Sequence, residues 1–175
     1  APNTTTAKRL KAYLSLALAQ VVGCLFTGPA DVVIGTSPPL FTALAGWAVS
    51  VLKRARFVFE VRDLWPENMI AIGAMTNKYA VWVMKKIEMF LYRRAWKIVP
   101  VTMGFKDYVV RKGLPARKVE VVFNGVDKAE FTPMERPADL ARELGVERKF
   151  VAAYIGTVGI NHGLRTMIEA AEILK

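Results

Sequence analysis

Cysteine and histidine are nearly absent from these 175 residues, which hold only Cys24 and His162. A lone cysteine excludes a disulfide framework, and a single histidine leaves no Cys/His cluster able to hold zinc. That thiol usage fits a reducing, cytosolic setting. A Ser-His-Asp triad would have to use His162, which lies in a Gly-rich turn without evident partners, so that chemistry is discounted. Membrane-length apolar runs are missing as well. The apolar part of the first helical pattern, Ala12 to Phe26, is about 15 residues and contains Gln20, whereas a bilayer span needs about 20. The opening APNTTTAKRL lacks the signal-peptide pattern, and its Asn3-Thr4-Thr5 sequon means little in a cytosolic protein.

Acidic residues are also in short supply. Against 15 Asp and Glu stand 25 Lys and Arg, a formal net charge of +10. This excess suggests an anionic partner: nucleic acid, a phosphorylated substrate or an acidic lipid surface. No zinc-finger spacing and no aromatic motif of an RNA-binding sheet is present, which makes nucleic acid the unlikely member of the three. With 53% hydrophobic and 23% charged residues, the chain is neither disordered nor a simple membrane bundle.

Short β-branched runs alternate with helical patterns. A helix is expected from Thr6 to Phe26, with Lys8, Arg9 and Lys11 preceding a leucine-rich face; packing on a sheet is preferred over resting on a membrane surface. DVVIGTS (Asp31–Ser37) and RFVFEVRD (Arg56–Asp63) read as buried parallel strands. Between them, Leu40–Lys53 reads as a helix. Asn77 can cap a helix over Lys78–Arg94, with Met, Ile, Phe and Trp on one side and Lys85, Lys86, Arg93 and Arg94 outside. KIVPVT is a third strand, placed towards an edge by Pro100; GFKDYVVRKG is a helix closed by Gly113. KVEVVFNGVD reads as a fourth strand, and FVAAYIGTVG followed by GLRTMIEAAEILK as a fifth strand and its helix. Between them lies a charged, Pro-containing crossover with one helix, Ala138–Leu144. The pattern predicts an α/β fold with a doubly wound, Rossmann-like parallel sheet. The expected division is 1–136 for a first domain and 137–175 for the crossover and start of a second.

Ligands of open parallel sheets bind beyond the carboxyl ends of the strands. Here those ends read TSPP, RDLWPE, TMGF, NGVD and GTVGINHG. Arg62 offers a planar fork of donors for phosphate or carboxylate, and Asp63 can accept from sugar hydroxyls or hold Arg62. Trp65 offers a ring face to a sugar or lipid, or else fills core space. In Asn124-Gly125 the glycine can supply positive φ and let backbone approach a ligand. The last loop can cradle a phosphate at a helix N-terminus, although Gly156, Gly159 and Gly163 do not fit the dinucleotide fingerprint.

DVVIGTSPPLF, FVFEVRDLWPE, VVFNGVD with Phe131-Thr132-Pro133 behind it, and YIGTVGINHGLRTMIEAAEILK follow one another in this order. Together they resemble the middle of a retaining glycosyltransferase of the large family four, with the GT-B fold, in the subgroup that carries RDLWP. The resemblance runs from about Asp31 onward. It implies an acceptor-side Rossmann-like domain followed by the first β-α unit of a donor-side domain, with the family's first strand expected before Ala1. By this resemblance Arg62 and Asp63 are the candidate catalytic residues. Ser37, Pro38, Trp65, Glu67, Asn124, Gly125 and Asp127 are candidates for substrate binding, and Gly156, Thr157, Gly159, His162 and Gly163 for the donor phosphates. Arg62 stands where many relatives have histidine, Gly156-Thr157 where they have Gly-Arg, and His162-Gly163 where they have Lys-Gly. Glu135 and Glu143 show the E-x7-E spacing of the donor site but fall in the charged crossover and read as a solvated helix face, the family's pair being expected beyond Lys175.

The implied reaction moves a sugar from a nucleotide-diphosphate sugar to a lipid-linked or saccharide acceptor in surface polysaccharide or glycan synthesis, with retention. It needs no metal and no cofactor beyond the nucleotide sugar. The implied location is cytoplasmic, peripheral on the anionic inner face of the membrane, and these residues alone are expected not to transfer sugar. A nucleotide-sugar epimerase of the same fold and a non-catalytic module binding anionic lipid or nucleic acid stay open as alternatives.

Overall fold

The computed structural model describes residues 6–159 and 162–174, which divide into two units, Ala1–Asn124 and Gly125–Lys175. The Asn3-Thr4-Thr5 sequon, the Arg9 side chain, and Ile160 and Asn161 of the Gly-rich turn lie outside the described residues.

The first unit is built from α1 (Thr6–Leu25), β1 (Val32–Ser37), α2 (Leu40–Leu52), β2 (Arg56–Val61), α3 (Glu67–Ala71), α4 (Lys78–Arg94), β3 (Lys97–Pro100) and α5 (Met103–Arg111). The strands form one parallel sheet in the order β1-β2-β3, with Gly35 opposite Phe59 and Phe59 opposite Ile98. Because the order runs one way and parallel crossovers are right-handed, the crossover helices fall on one face. Phe57, Phe59, Val61 and Ile98 point into that face and meet Leu40 and Phe41 of α2 and Leu91 and Tyr92 of α4. Val109 of α5 and Val119 join the same cluster.

Local signals explain the element ends. Asn77 Oδ1 accepts from the backbone N–H of Tyr79 and Ala80, both at 3.0 Å, and starts α4 at the residue the sequence predicts. Thr102 Oγ1 accepts from Phe105 N at 3.2 Å and starts α5, which Gly113 then closes at φ +89°. α1 packs on α2, with Tyr13 stacked on Phe41 at 6.4 Å between ring centroids. The expected packing of this helix on a sheet is replaced by packing on another helix, and Leu14 and Leu18 stay on the outer side of α1. No helix among the described residues is long and apolar enough to cross a membrane.

α2 lies close on β1 because two glycines face each other. A Cβ on Gly35 would stand 2.9 Å from the Phe57 ring and 3.1 Å from both the Cα and the carbonyl oxygen of Ala43, and one on Gly46 would stand 2.9 Å from Gly35 Cα. Backbone cannot yield as a flexible side chain can, so Gly35→Ala is expected to destabilise the first unit by about 1–3 kcal/mol. Urea unfolding checks this; an unchanged midpoint would show that α2 can lift off β1 without cost.

Two of the five expected strands do not form as the sequence predicts. The run after Lys118 follows β3 in parallel, with Glu120 N donating to Ile98 O at 3.0 Å and Val122 N to Pro100 O at 3.1 Å, but only Val119 forms a bridge. The chain there has one neighbour, and Val122 and Phe123 remain exposed. In the second unit Phe150–Ile155 forms no strand, and Phe150 and Ile155 are 97% and 94% exposed. A strand exists by its ladder, and no partner run is present among that unit's described residues. The second unit contributes α6 (Ala138–Glu143), ended by Gly145 at φ +64°, and α7 (Leu164–Ile173). Glu143 ends α6, whereas Glu135 precedes it, and both are exposed.

Candidate active site

The carboxyl ends of β1 and β2 are joined by backbone and side-chain hydrogen bonds. Arg62 N donates to Ser37 O at 3.2 Å, continuing the ladder one step past the strands. Ser37, 1% exposed, donates through Oγ to Asp63 O at 3.3 Å, so it braces the second loop from beneath. Asp63 Oδ1 accepts from the Asn68 side chain, which lies in the first turn of α3. Trp65 N donates to Asp63 O at 3.1 Å, and Asn68 N to Leu64 O at 2.9 Å. Two loops expected to carry chemistry are thus held together at the strand ends, with the Arg62 side chain exposed and Asp63 half-buried.

Trp65 takes the second of its two expected roles. It is 9% exposed and belongs to the core cluster, as a large apolar ring beside a strand end should. One side of it lines a hollow of about 410 Å³ together with Tyr13, Phe41, Met69, Met75 and Met84. Unbranched methionines make such a wall adaptable in shape.

Glu67, read from sequence as a substrate contact, is engaged within the protein. Its Oε1 lies 3.5 Å from the ammonium groups of both Lys112 and Lys85. Lys112 Nζ also reaches Glu88 Oε2 at 2.5 Å, and Glu88 is 1% exposed. Three carriers meet here: the start of α3, the middle of α4 and the end of α5. Burial raises the Glu88 carboxyl above its usual range, with Lys112 pulling the other way. Burial also opposes ionisation of Glu67, but the Tyr108 hydroxyl beside it and Lys112 and Lys85 outweigh this and leave its carboxyl below the usual range. Burial and the adjacent carboxylates push the Tyr92 and Tyr108 hydroxyls well up, so both remain neutral donors. Glu88 Oε1, Glu67 Oε2 and the Tyr108 hydroxyl are nevertheless buried without an aligned hydrogen bond. Sequence patterning missed the cluster, because Glu88 sits among helix residues where a charge is normally solvated. Lys85 is exposed, as the sequence pattern has it, and pairs with Glu67 from the surface.

Pro38 lies in the loop beside Ser37, and Asn124 ends the first unit with an exposed side chain. Gly125 begins the second unit and does not use the positive φ that Asn-Gly suggested; the described glycines that do are Gly73, Gly113, Gly145 and Gly163. Asp127 Oδ1 accepts from Ala129 N at 2.8 Å and so supports a local turn. In the last loop His162 N donates to Gly159 O at 3.1 Å, and the Tyr154 hydroxyl donates to Thr157 O at 2.9 Å. Gly156 packs against the Tyr154 ring, and Gly163, at φ +58°, precedes α7 with no side-chain cap on the helix.

This architecture has known relatives. Residues 2–125 match the family described as Glycosyl transferase 4-like domain. The crystal structure of Anabaena Alr3699/HepE in complex with UDP-glucose is similar at a TM-score of 0.61 and 17% identity, covering 91% of this chain and 39% of that one. Its complex with UDP and glucose gives a TM-score of 0.62 at 16% identity, covering 95% of this chain and 41% of that one. The chain therefore spans about two fifths of the length of these neighbours. No curated protein matches it. With more than half of its residues inside the family match and a parallel Rossmann-like sheet beneath them, the chain belongs to the glycosyl transferase 4-like family.

Proposed function

We propose that the intact protein transfers a sugar from a nucleotide-diphosphate sugar to a lipid-linked or saccharide acceptor, with retention at the anomeric carbon. The observation that carries this reading is the braced pair of strand-end loops, Ser37–Pro38 and Arg62–Glu67, inside the family-matched region. Arg62 and Asp63 are the groups presented there: a guanidinium for the donor's phosphates and a carboxylate for hydroxyls of the reacting sugars. The methionine-lined hollow beside Trp65 gives the acceptor's apolar part a place next to that loop. A nucleotide-sugar donor is supported by the UDP-glucose complex of the Anabaena neighbour. The leaving diphosphate gathers negative charge as the glycosidic bond breaks. Fixed donors aimed at that charge accelerate the step, and in this reading the Arg62 guanidinium is one of them. The reading gives no role to a metal.

The test is direct: the full-length protein is offered several UDP-sugars and a polyprenyl-diphosphate-linked acceptor, and labelled lipid product is followed. The expected result is product whose new linkage keeps the donor's anomeric configuration by NMR. Free UDP together with an isomerised sugar and no glycoside would replace this reading with epimerisation.

A further inference from the structure

We propose that Lys112 is a positioning residue for the Arg62–Glu67 loop, and that Glu88 competes with the loop for it, so that one proton on Glu88 hands the lysine to Glu67. The role rests on the reading of that loop as part of the catalytic site. Lys112 ends α5, where its backbone N–H donates to Tyr108 O and Val109 O, both at 3.2 Å, which fixes the root of its side chain. From there Nζ stands 2.5 Å from Glu88 Oε2 and 3.5 Å from Glu67 Oε1, a tight pair and a loose one. Glu67 is the first residue of α3, and Asn68 beside it donates through its side chain to Asp63 Oδ1 and through its N–H to Leu64 O. A shift of Glu67 therefore reaches Asp63 across one peptide link and one hydrogen bond.

Every group facing Glu88 bears on this exchange. α5 brings Lys112 and Tyr108, α3 brings Glu67, and α4 itself brings Tyr92, while Lys85 sits on Glu67 from the surface. Two carboxylates thus share the Lys112 ammonium. Glu88 Oε1, Glu67 Oε2 and the Tyr108 hydroxyl are buried beside it without an aligned partner, an arrangement that costs free energy. A proton on Glu88 gives that carboxyl a hydrogen to donate to Glu67 or Tyr108. Lys112, no longer held by a charge in the core, is then drawn to Glu67. The surroundings set the order of protonation. Burial raises the Glu88 carboxyl, whereas the Tyr108 hydroxyl, Lys112 and Lys85 outweigh burial at Glu67 and lower it. As pH falls, Glu88 takes its proton while Glu67 still carries charge.

Backbone amide exchange of the full-length protein tests this without any substrate, read as protection factors so that the intrinsic pH dependence cancels. The N–H groups of Arg62, Trp65 and Asn68 are bonded to Ser37, Asp63 and Leu64. Their protection should rise at least about threefold between about pH 8 and about pH 5. Glu88→Gln, which keeps the shape and removes the charge, should show the raised protection throughout that range. Glu67→Gln should abolish the pH response and lower loop protection at least about tenfold, with the amides of β2 changed far less. A pH response that survives Glu88→Gln would overturn the proposal. So would equal loss of protection in the loop and in β2, which would make the cluster a support of the whole unit. In the transfer assay Glu88→Gln should remove the matching inflection from the pH profile of kcat and leave KM within about twofold. The exchange pattern without sugar transfer would leave the lysine's hold on the loop standing and refute the proposed activity. Transfer without the exchange pattern would refute the positioning role alone.

Discussion

Replacing Lys112 with methionine is expected to lower the stability of the chain by about 3–5 kcal/mol at neutral pH. Glu88 is 1% exposed, and Lys112 at 2.5 Å is the cation that compensates its burial. Methionine preserves the stem of the side chain and removes only the charge. The carboxylate would then be left in the core with Glu67 as a second negative neighbour and the neutral hydroxyls of Tyr92 and Tyr108 as its remaining polar surroundings. The defect should shrink in acid, and the sign follows from the raised Glu88 group. A carboxyl whose folded pKa lies above its unfolded one binds its proton more tightly when folded, so protonation relieves the penalty as pH falls towards the ordinary carboxylate range of about 4. Glu67 works the other way: its lowered carboxyl stabilises the fold above the unfolded pKa, and that contribution is lost as pH falls through the folded value. Urea unfolding of wild type and variant across this range separates the two, because Lys85 still faces Glu67 in the variant. A defect that stays constant with pH would mean that the lysine stem matters rather than its charge. Lys112→Arg, which restores the cation, should recover part of the stability.

On the proposed function, Asp63→Asn in the full-length protein is expected to reduce kcat/KM for sugar transfer by about 10²–10³-fold while moving the unfolding midpoint little. Asparagine has nearly the same shape, and its amide oxygen can still accept the hydrogen bond that Asn68 donates. The Ser37 hydroxyl bonds the backbone of residue 63 and is untouched by the change. The loop is therefore retained and only the negative charge is removed. If activity falls in step with stability, Asp63 is a brace for α3; if activity is unchanged, the carboxylate faces no reacting sugar. Arg62→Lys is a useful companion, because it keeps charge while losing the planar fork.

Most of the fold's plan is legible in the sequence. Period-two and period-three-to-four patterning, with Asn77, Gly113 and Gly145 as punctuation, locates the strands of the first unit and the long helices, because these signals act over a few neighbouring residues. The strand-end rule then points to Ser37, Arg62 and Asp63 for the same reason: a parallel sheet gathers its carboxyl ends along one edge. Patterning misplaces Trp82 on α4, since a tryptophan is apolar enough for either environment. Its exposure depends on what α4 packs against.

By itself the sequence determined the alternating α/β order, the parallel sheet and the loops that reach its carboxyl edge, all consequences of local backbone preference and side-chain periodicity. Only the tertiary structure decided which side chains face those loops and which are consumed in holding them. Trp65 went to the core, Glu67 to two lysines and Glu88 to a buried pair with Lys112. Among the described residues Phe150–Ile155, apolar enough for a strand, has no ladder partner. The physical reason is common to all four. Burial of a ring, pairing of a charge and formation of a strand each need a partner distant in sequence, and only the folded chain determines whether that partner arrives.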